Sequence, residues 1–137
     1  MKAIKLTVAS LVIAFSGGVF AQDEETLDGG TGQALYEANC AACHQYDGGG
    51  VPMMQPELIL SPKANGDIGE VIDMILLGSA AVPAGTSEYS NEMPAFDYLS
   101  DEDIALIASY VRTHFENTGG PVTPADVRDR RALHSGE

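Results

Sequence analysis

The sequence predicts a small all-α domain with three main helices, irregular loops and a C-terminal tail. Two stretches carry apolar residues at helical spacing, each between residues that typically start and stop a helix. A third stretch leads into the motif Cys40-Ala41-Ala42-Cys43-His44. Strands and helices do not alternate along the chain, so a parallel α/β sheet is not indicated.

The first residues of the 137-residue chain have the composition of a secretory signal peptide, predicted over residues 1–21. Lys2 and Lys5 precede an apolar run over residues 6–15, and Val19-Phe20-Ala21 provides a small-residue cleavage site. An uncleaved membrane anchor is the alternative, but the run is shorter than the roughly 20 residues that a span requires. We therefore expect export to the periplasm of a bacterium, without stable membrane insertion after cleavage.

Residues 22–30 contain four acidic residues and little that could be buried, which predicts a mobile acidic lead or, alternatively, a partner-binding tail. All 20 acidic residues follow residue 21 whereas two of the seven basic residues precede it, so the mature chain carries a formal charge of −15. Such a charge argues against nucleic acid and anionic membranes as partners. Its other explanation is that acidity keeps an exported protein soluble.

The first helix is expected to begin at Thr31 or Gly32 and to end in the cysteine motif. The spacing Cys-x-x-Cys-His is the attachment signature of c-type haem: two thiols bond the porphyrin and the histidine binds its iron. A redox disulfide would require a setting of strands and helices, and a zinc site would require His114 and His134 as further ligands. We therefore predict one haem c, covalently bound through Cys40 and Cys43, with His44 as an iron ligand.

Two segments follow the motif, and the second is expected to orient this histidine. Residues 45–52 form a glycine-rich loop without helical or strand period, which we expect to wrap the haem edge. A metal-bound histidine usually donates its second ring N–H to a carbonyl or carboxylate. The Pro56 carbonyl, twelve residues beyond His44, is the candidate acceptor.

The second helix is predicted from the capping pair Asp67 and Glu70 and ends at Gly78. Met74 lies within it and is expected to pack in the core. Residues 79–98 follow without regular period, a length that is unusual in a compact domain unless the loop has a function. Covering one face of a haem is such a function.

The second axial position of the iron decides between a carrier and an enzyme, because an open position permits gas or peroxide chemistry. Met93 is the preferred ligand, since it lies in the irregular loop and a proline stiffens the backbone after it. Met53 and Met54 are expected on the histidine side of the ring. His114 and His134 are the remaining alternatives.

Ser100 caps the third helix, whose apolar stripe ends near Phe115, and the predicted domain covers residues 31–117. The tail, residues 118–137, contains a possible short helix and three arginines. These arginines form either a solvated helix face or a surface that docks on the acidic domain or on a partner.

Taken together, the chain resembles class I monohaem cytochromes c over residues 31–116. The residues that carry the resemblance are Gly32 with Tyr36, the haem motif Cys40 to His44, Pro56-Glu57-Leu58, Met93-Pro94-Ala95-Phe96, and Ile107 with Tyr110. The resemblance implies that the first and last helices cross, that Pro56 accepts a hydrogen bond from His44, that Leu58 packs on the ring, and that Met93 is the second iron ligand.

The resemblance also implies a monomeric protein that transports electrons by a His/Met-ligated haem, without catalysis by the chain itself. Residues 99–127 are similar to cytochrome domains that accept electrons from periplasmic quinoprotein or flavin dehydrogenases. The expected partners are therefore redox proteins: a dehydrogenase, an oxidase or another cytochrome. The alternatives are a permanently bound cytochrome subunit of an alcohol or sugar dehydrogenase, and a haem enzyme or sensor with a labile ligand.

Overall fold

The computed structural model describes residues 29–136, and this part of the chain is helical. Its helices are α1 (Gly29–Asn39), α2 (Ala41–His44), α3 (Ile68–Leu77) with a 3-10 turn (Gly78–Ala81), α4 (Asp101–Thr113) and α5 (Pro124–Ser135). Over these residues no β-strand is present, only an isolated bridge between Val51 and Gln55. The all-α prediction is confirmed, whereas the predicted signal peptide and residues 22–28 of the predicted lead lie outside the described residues.

Helices α1 and α4 cross at a glycine. A Cβ atom added to Gly32 would lie 2.8 Å from the Leu106 carbonyl oxygen and 3.2 Å from Tyr110 Cβ, so no larger residue fits there. Tyr36, one turn later, is fully buried, and its ring centroid lies 5.4 Å from that of Tyr110. The resemblance implied that the first and last helices cross, and the structure has this close approach at Gly32.

Helix α3 forms for the reasons that its sequence indicates. The Asp67 carboxylate accepts hydrogen bonds from the backbone N–H groups of Gly69 at 2.8 Å and Glu70 at 3.1 Å, which satisfies the first turn. The helix stops at Gly78, where φ is +59° and a Cβ atom would overlap the Met93 carbonyl oxygen. The end of α3 is therefore fixed by the later loop that passes over it.

The core lies between α3, α4 and α5. Its buried members include Val71, Ile72, Ile75, Leu76, Phe96, Ile104, Ile107, Ala108, Val122 and Val127. Ser100 caps α4 by accepting from the Asp103 N–H at 3.1 Å. These contacts place the irregular loop before α4 against the apolar face of α3.

A buried arginine joins the end of α4 to two loops. Arg112 is 4% exposed, and its guanidinium donates to the carbonyl oxygens of Gly120 at 3.1 Å, Gly66 at 3.0 Å and Gly119. Asn117 adds hydrogen bonds to the carbonyls of Leu58 and Val111, both at 2.8 Å. The backbone after α4 is thereby attached to the segments that precede α3.

The C-terminal tail is a packed helix, with a capping box at its start. The Thr123 hydroxyl accepts from the Asp126 N–H, and the Asp126 carboxylate accepts from the Thr123 N–H. Val127 is fully buried in the core, and Arg130 and Arg131 form ion pairs with Asp73 and Asp101. Docking on the acidic domain, rather than a solvated helix face, is therefore the arrangement of this tail.

Candidate functional site

A cavity of about 450 Å³ opens between two parts of the molecule. One part, called here the His44 wall, consists of residues 40–44 with residues 55–58. The other, the Met93 wall, consists of the end of α3 with residues 79–96. The predicted site residues Cys40, Cys43, His44, Pro56, Leu58 and Met93 all line this cavity.

The two thiols lie on one helical turn. The His44 N–H donates to the Cys40 carbonyl at 2.9 Å, so Cys40 and Cys43 are held one turn apart beside the cavity. Both are free cysteines, Cys40 half-buried and Cys43 exposed. Burial, with a smaller effect from Cys43, raises the pKa of Cys40 to about 11. A redox Cys-x-x-Cys pair requires a lowered pKa, so this environment disfavours thiol–disulfide exchange.

The imidazole of His44 is buried and held by one hydrogen bond. Its Nδ1 lies 3.0 Å from the Pro56 carbonyl oxygen, which is the contact expected from the sequence. Because a carbonyl only accepts, Nδ1 carries the proton and Nε2 keeps a free lone pair. Burial lowers the pKa of His44 and outweighs the opposite effect of the Pro56 hydrogen bond. The result is a neutral, oriented imidazole, the form that binds a metal.

The glycine-rich loop supports the His44 wall from behind. The Gly50 N–H donates to the His44 carbonyl at 3.0 Å, and the Leu58 N–H donates to the Gly48 carbonyl at 2.6 Å. Gly50 has φ of +60°, and a Cβ atom there would lie 2.5 Å from the Pro56 carbonyl oxygen. We expected this loop to wrap the haem edge, but residues 45–52 do not line the cavity. Their role is to hold the segment that contains Pro56.

The Met93 wall is fastened by contacts between residues far apart in the sequence. The Met93 N–H donates to the Ser79 hydroxyl at 2.8 Å, and the Ser79 N–H donates to the Met93 carbonyl at 2.9 Å. The Phe96 N–H donates to the Ile75 carbonyl at 3.0 Å, which ties the loop to α3. Met93 is half-buried and lines the cavity.

The other candidate ligands from the sequence lie elsewhere. Met53 is 74% and Met54 43% exposed, and neither lines the cavity. His114 is exposed and stacks on Tyr110, with ring centroids 4.0 Å apart. His134 lies in α5 and pairs with Asp73 of α3. Among residues 29–136 there is no group of three His, Cys, Asp or Glu side chains that could hold a metal ion.

Two residues of the site carried no signal in the sequence. Met74 lines the cavity instead of packing in the core cluster, so the expectation for Met74 was wrong. Helical periodicity does not distinguish a core face from a face that borders a cavity. Ser79 fastens Met93 across fourteen residues, and nothing in its neighbourhood indicates that contact.

The cavity fits a c-type haem by its donor set. It provides two thiols one turn apart, a neutral imidazole with a free Nε2 and a thioether, within mainly apolar surroundings. Gln55 Oε1 is buried beside the cavity without a hydrogen-bond partner among the described residues, so a polar group of a bound molecule could satisfy it. These residues suit a porphyrin with an iron centre better than a metal ion alone.

Comparison with known proteins agrees with this chemistry. A family model described as cytochrome c matches residues 30–115. The chain is 38% identical over 109 residues to a fructose dehydrogenase cytochrome subunit of Gluconobacter japonicus, covering 74% of this chain and 22% of that protein. It is 30% identical over 106 residues to the cytochrome c subunit of a quinone alcohol dehydrogenase of Gluconobacter oxydans, covering 75% of this chain and 22% of that protein.

A shorter relative aligns over nearly all of its length. Cytochrome c6 of a Picosynechococcus species is 34% identical over 116 residues, which cover 84% of this chain and 93% of that protein. By contrast, the chain spans about a fifth of the length of the dehydrogenase subunits, at 22%. Within the part of the chain that the structure describes, no helix is long and apolar enough to cross a membrane.

Proposed function

Because the chain belongs to the cytochrome c family, we propose that it carries single electrons between redox proteins in the periplasm. The cofactor of the family is a covalently bound c-type haem, and Cys40 and Cys43 fit its attachment motif. The observation that carries the proposal is that one cavity is lined by both cysteines, His44 and Met93.

Each residue of the cavity has a distinct part in this proposal. Cys40 and Cys43 would attach the haem through thioether bonds, and His44 Nε2 and the Met93 sulfur would hold its iron. When bound, the haem supplies a one-electron Fe(III)/Fe(II) couple, and a thioether ligand favours the reduced state. Pro56 fixes the direction of the His44 ring, and Leu58, which lines the cavity, contributes apolar contact.

Ligation of the iron by both His44 and Met93 would suit an electron carrier. If His44 and Met93 both bound the haem iron, no position would remain for a substrate, so we propose that the chain itself catalyses no reaction. Fixed ligands also keep the geometry of the site similar in both oxidation states, which favours rapid transfer. The test for the alternative, a labile ligand, is carbon monoxide binding to the reduced protein.

Partners are proposed to dock where the cavity opens beside exposed Cys43. The exposed residues Met53 and Met54 lie next to the loop of the Met93 wall, because their carbonyls accept from the N–H groups of Ser90 at 2.9 Å and Asn91 at 3.3 Å. We include residues 81–84 in the same uncharged surface. A small interface below about 1,200 Å² would allow rapid release.

Three acidic residues line the cavity beside which this surface is proposed. Glu57, Glu88 and Glu92 border the cavity, where Lys63 is the one basic side chain among the described lining residues. This excess of negative charge favours a partner with a basic face and would speed its association. Added salt should therefore slow electron transfer with a physiological partner.

A permanently bound cytochrome subunit of a dehydrogenase is the second candidate, favoured by the relatives named above. In that case the chain would co-purify with a dehydrogenase from its own periplasm. As a shuttle it would elute as a monomer in size-exclusion chromatography of the native extract. We favour the shuttle because the alignment with cytochrome c6 covers 93% of that protein's length.

The proposal is tested with protein matured in a bacterium that assembles c-type cytochromes. Spectroelectrochemistry should give one reversible one-electron transition, and mass spectrometry should give a covalent haem adduct with an N-terminus after residue 21. A colourless product, or rapid carbon monoxide binding by the reduced wild type at neutral pH, would contradict the assignment. A start at Met1 would contradict only the export prediction.

A further inference from the structure

We propose that α5 positions the Met93 loop, acting on it from both sides through Arg130 and Arg131; this inference rests on the proposed ligation by Met93. Helix α5 lies beyond residue 115, where the family match ends. It borders no part of the cavity, so its effect would pass through α3 and the segment before α4.

Arg130 attaches α5 to α3. Its Nε donates to Asp73 Oδ1 at 2.9 Å, and its second guanidinium nitrogen pairs with the other carboxylate oxygen, a bidentate arrangement. The guanidinium lies over Gly69, where a Cβ atom would come within 3.0 Å of it. His134 contacts the same carboxylate at 2.7 Å. The middle of α3 is thereby held against α5.

Arg131 attaches α5 to the segment that follows the Met93 loop. Its guanidinium donates to Asp101 Oδ1 at 2.6 Å, to the Asp97 carbonyl at 2.7 Å and to the Leu99 carbonyl. One side chain thus binds three groups within five residues. A lysine could not reproduce this fork, because its ammonium is a single point of charge.

The two arginines hold the residues on either side of one junction. That junction is the hydrogen bond from the Phe96 N–H to the Ile75 carbonyl. Asp73 lies two residues before Ile75, and Asp97 directly follows Phe96. Since Met93 is three residues before Phe96 and is otherwise held mainly by Ser79, opening of this junction would free the loop.

The test compares Arg131→Ala with Arg128→Ala. Arg128 lies on the same helix, is exposed and forms no ion pair with the described residues. Arg128→Ala therefore removes the same charge from α5 without removing a contact to the Met93 loop. Two properties are followed during heating of the oxidised haem protein: the weak far-red band of sulfur-ligated ferric haem, and the helical circular dichroism. Hydrogen exchange at the Met93 and Phe96 amides is measured separately.

We expect Arg131→Ala to lose the far-red band at a temperature well below helix unfolding, and to exchange these two amides about tenfold faster, as the loss of charge-assisted hydrogen bonds predicts. Arg128→Ala should leave both properties as in the wild type. If Arg131→Ala does not fold, Arg131→Lys is used. We expect this variant also to lose the far-red band before the helix unfolds, with a smaller temperature difference and a smaller increase in amide exchange.

Joint loss of band and helix at one temperature, or equal exchange in the Arg131 and Arg128 variants, would overturn the inference, because α5 would then stabilise the whole domain without preference. Absence of the band from the wild type would instead contradict ligation by Met93. In that case the exchange measurement still decides whether α5 positions the loop.

Discussion

The His44 wall and the Met93 wall line the same cavity, one with an imidazole and the other with a thioether. They differ in the contacts that hold them in place. In the His44 wall the contact that orients the ligand is local: His44, its acceptor Pro56 and the loop between them lie within thirteen residues, and Asn117 holds only Leu58 from a distance. The Met93 wall depends on partners fourteen to twenty-one residues away, Ser79 and Ile75, and residues 83–92 of its loop are exposed. We therefore expect the Met93 wall to open first when the protein is stressed.

The largest effect should come from removing each ligand in turn. Met93→Ala should keep covalently attached haem but lose the far-red band, and the reduced form should bind one carbon monoxide per haem. His44→Ala should fail to mature into a stable holoprotein, because the buried imidazole and its Pro56 contact organise the attachment segment. Survival of the far-red band in Met93→Ala would refute the assignment of that ligand.

A matched pair of glycine substitutions separates the two walls. Gly78→Ala places a Cβ atom on the Met93 carbonyl, and Gly50→Ala places one on the Pro56 carbonyl, each at positive φ. Each should destabilise the protein by roughly 1–3 kcal/mol from backbone strain, with the clash in addition. Denaturant titration should show early loss of the far-red band only in Gly78→Ala. The same early loss in Gly50→Ala would mean that the walls are not independent.

A smaller effect is expected from Ser79→Ala, which leaves the Met93 N–H without its acceptor. The cost should be about 1 kcal/mol, the net contribution of one hydrogen bond. It should appear as a lower midpoint for loss of the far-red band, whereas the helical signal changes little. Ser90→Ala is the control: Ser90 is exposed in the same loop, does not line the cavity, and its hydroxyl has no hydrogen bond among the described residues, so this variant should behave as the wild type.

The smallest effect concerns acid and the α5 contact with α3. Burial alone would raise the pKa of Asp73, but the hydrogen bonds from Arg130 and His134 outweigh it and hold that pKa below its ordinary value. A carboxylate with a lowered folded-state pKa adds stability at higher pH and loses it as pH falls through that pKa. Thermal melts should therefore show a steeper decline below about pH 4 in the wild type than in Asp73→Asn. Parallel declines would contradict this contribution.

The difference between the walls also explains what the sequence could predict. The haem motif, the Pro56 acceptor and the caps of α3 and α4 depend on residues close together in the chain, and the structure has the expected contacts. The supports of Met93 depend on tertiary packing, for which the sequence offers no period or motif. The docking of α5 was one of two open alternatives because the partners Arg130 and Asp73 are 57 residues apart.

The role of Met74 illustrates the same limit. Its helical position is compatible with core packing, yet it lines the cavity. An apolar helix face is read in the same way whether protein or a cofactor covers it. The glycine-rich loop is the converse case, because its composition indicated an irregular segment but not which neighbour it supports.

The guanidinium of Arg112 joins two loops by hydrogen bonds that differ in kind from the ion pairs of α5. Its acceptors are three backbone carbonyls, from Gly66, Gly119 and Gly120, which neither ionise nor exchange with counterions. Acidification or high ionic strength should therefore loosen the helix at the C-terminus while the loops around residues 66 and 120 stay joined. Proteolysis under such conditions would be expected to begin in the last turns of α5, beyond the buried Val127, and to leave the loops joined by Arg112 intact.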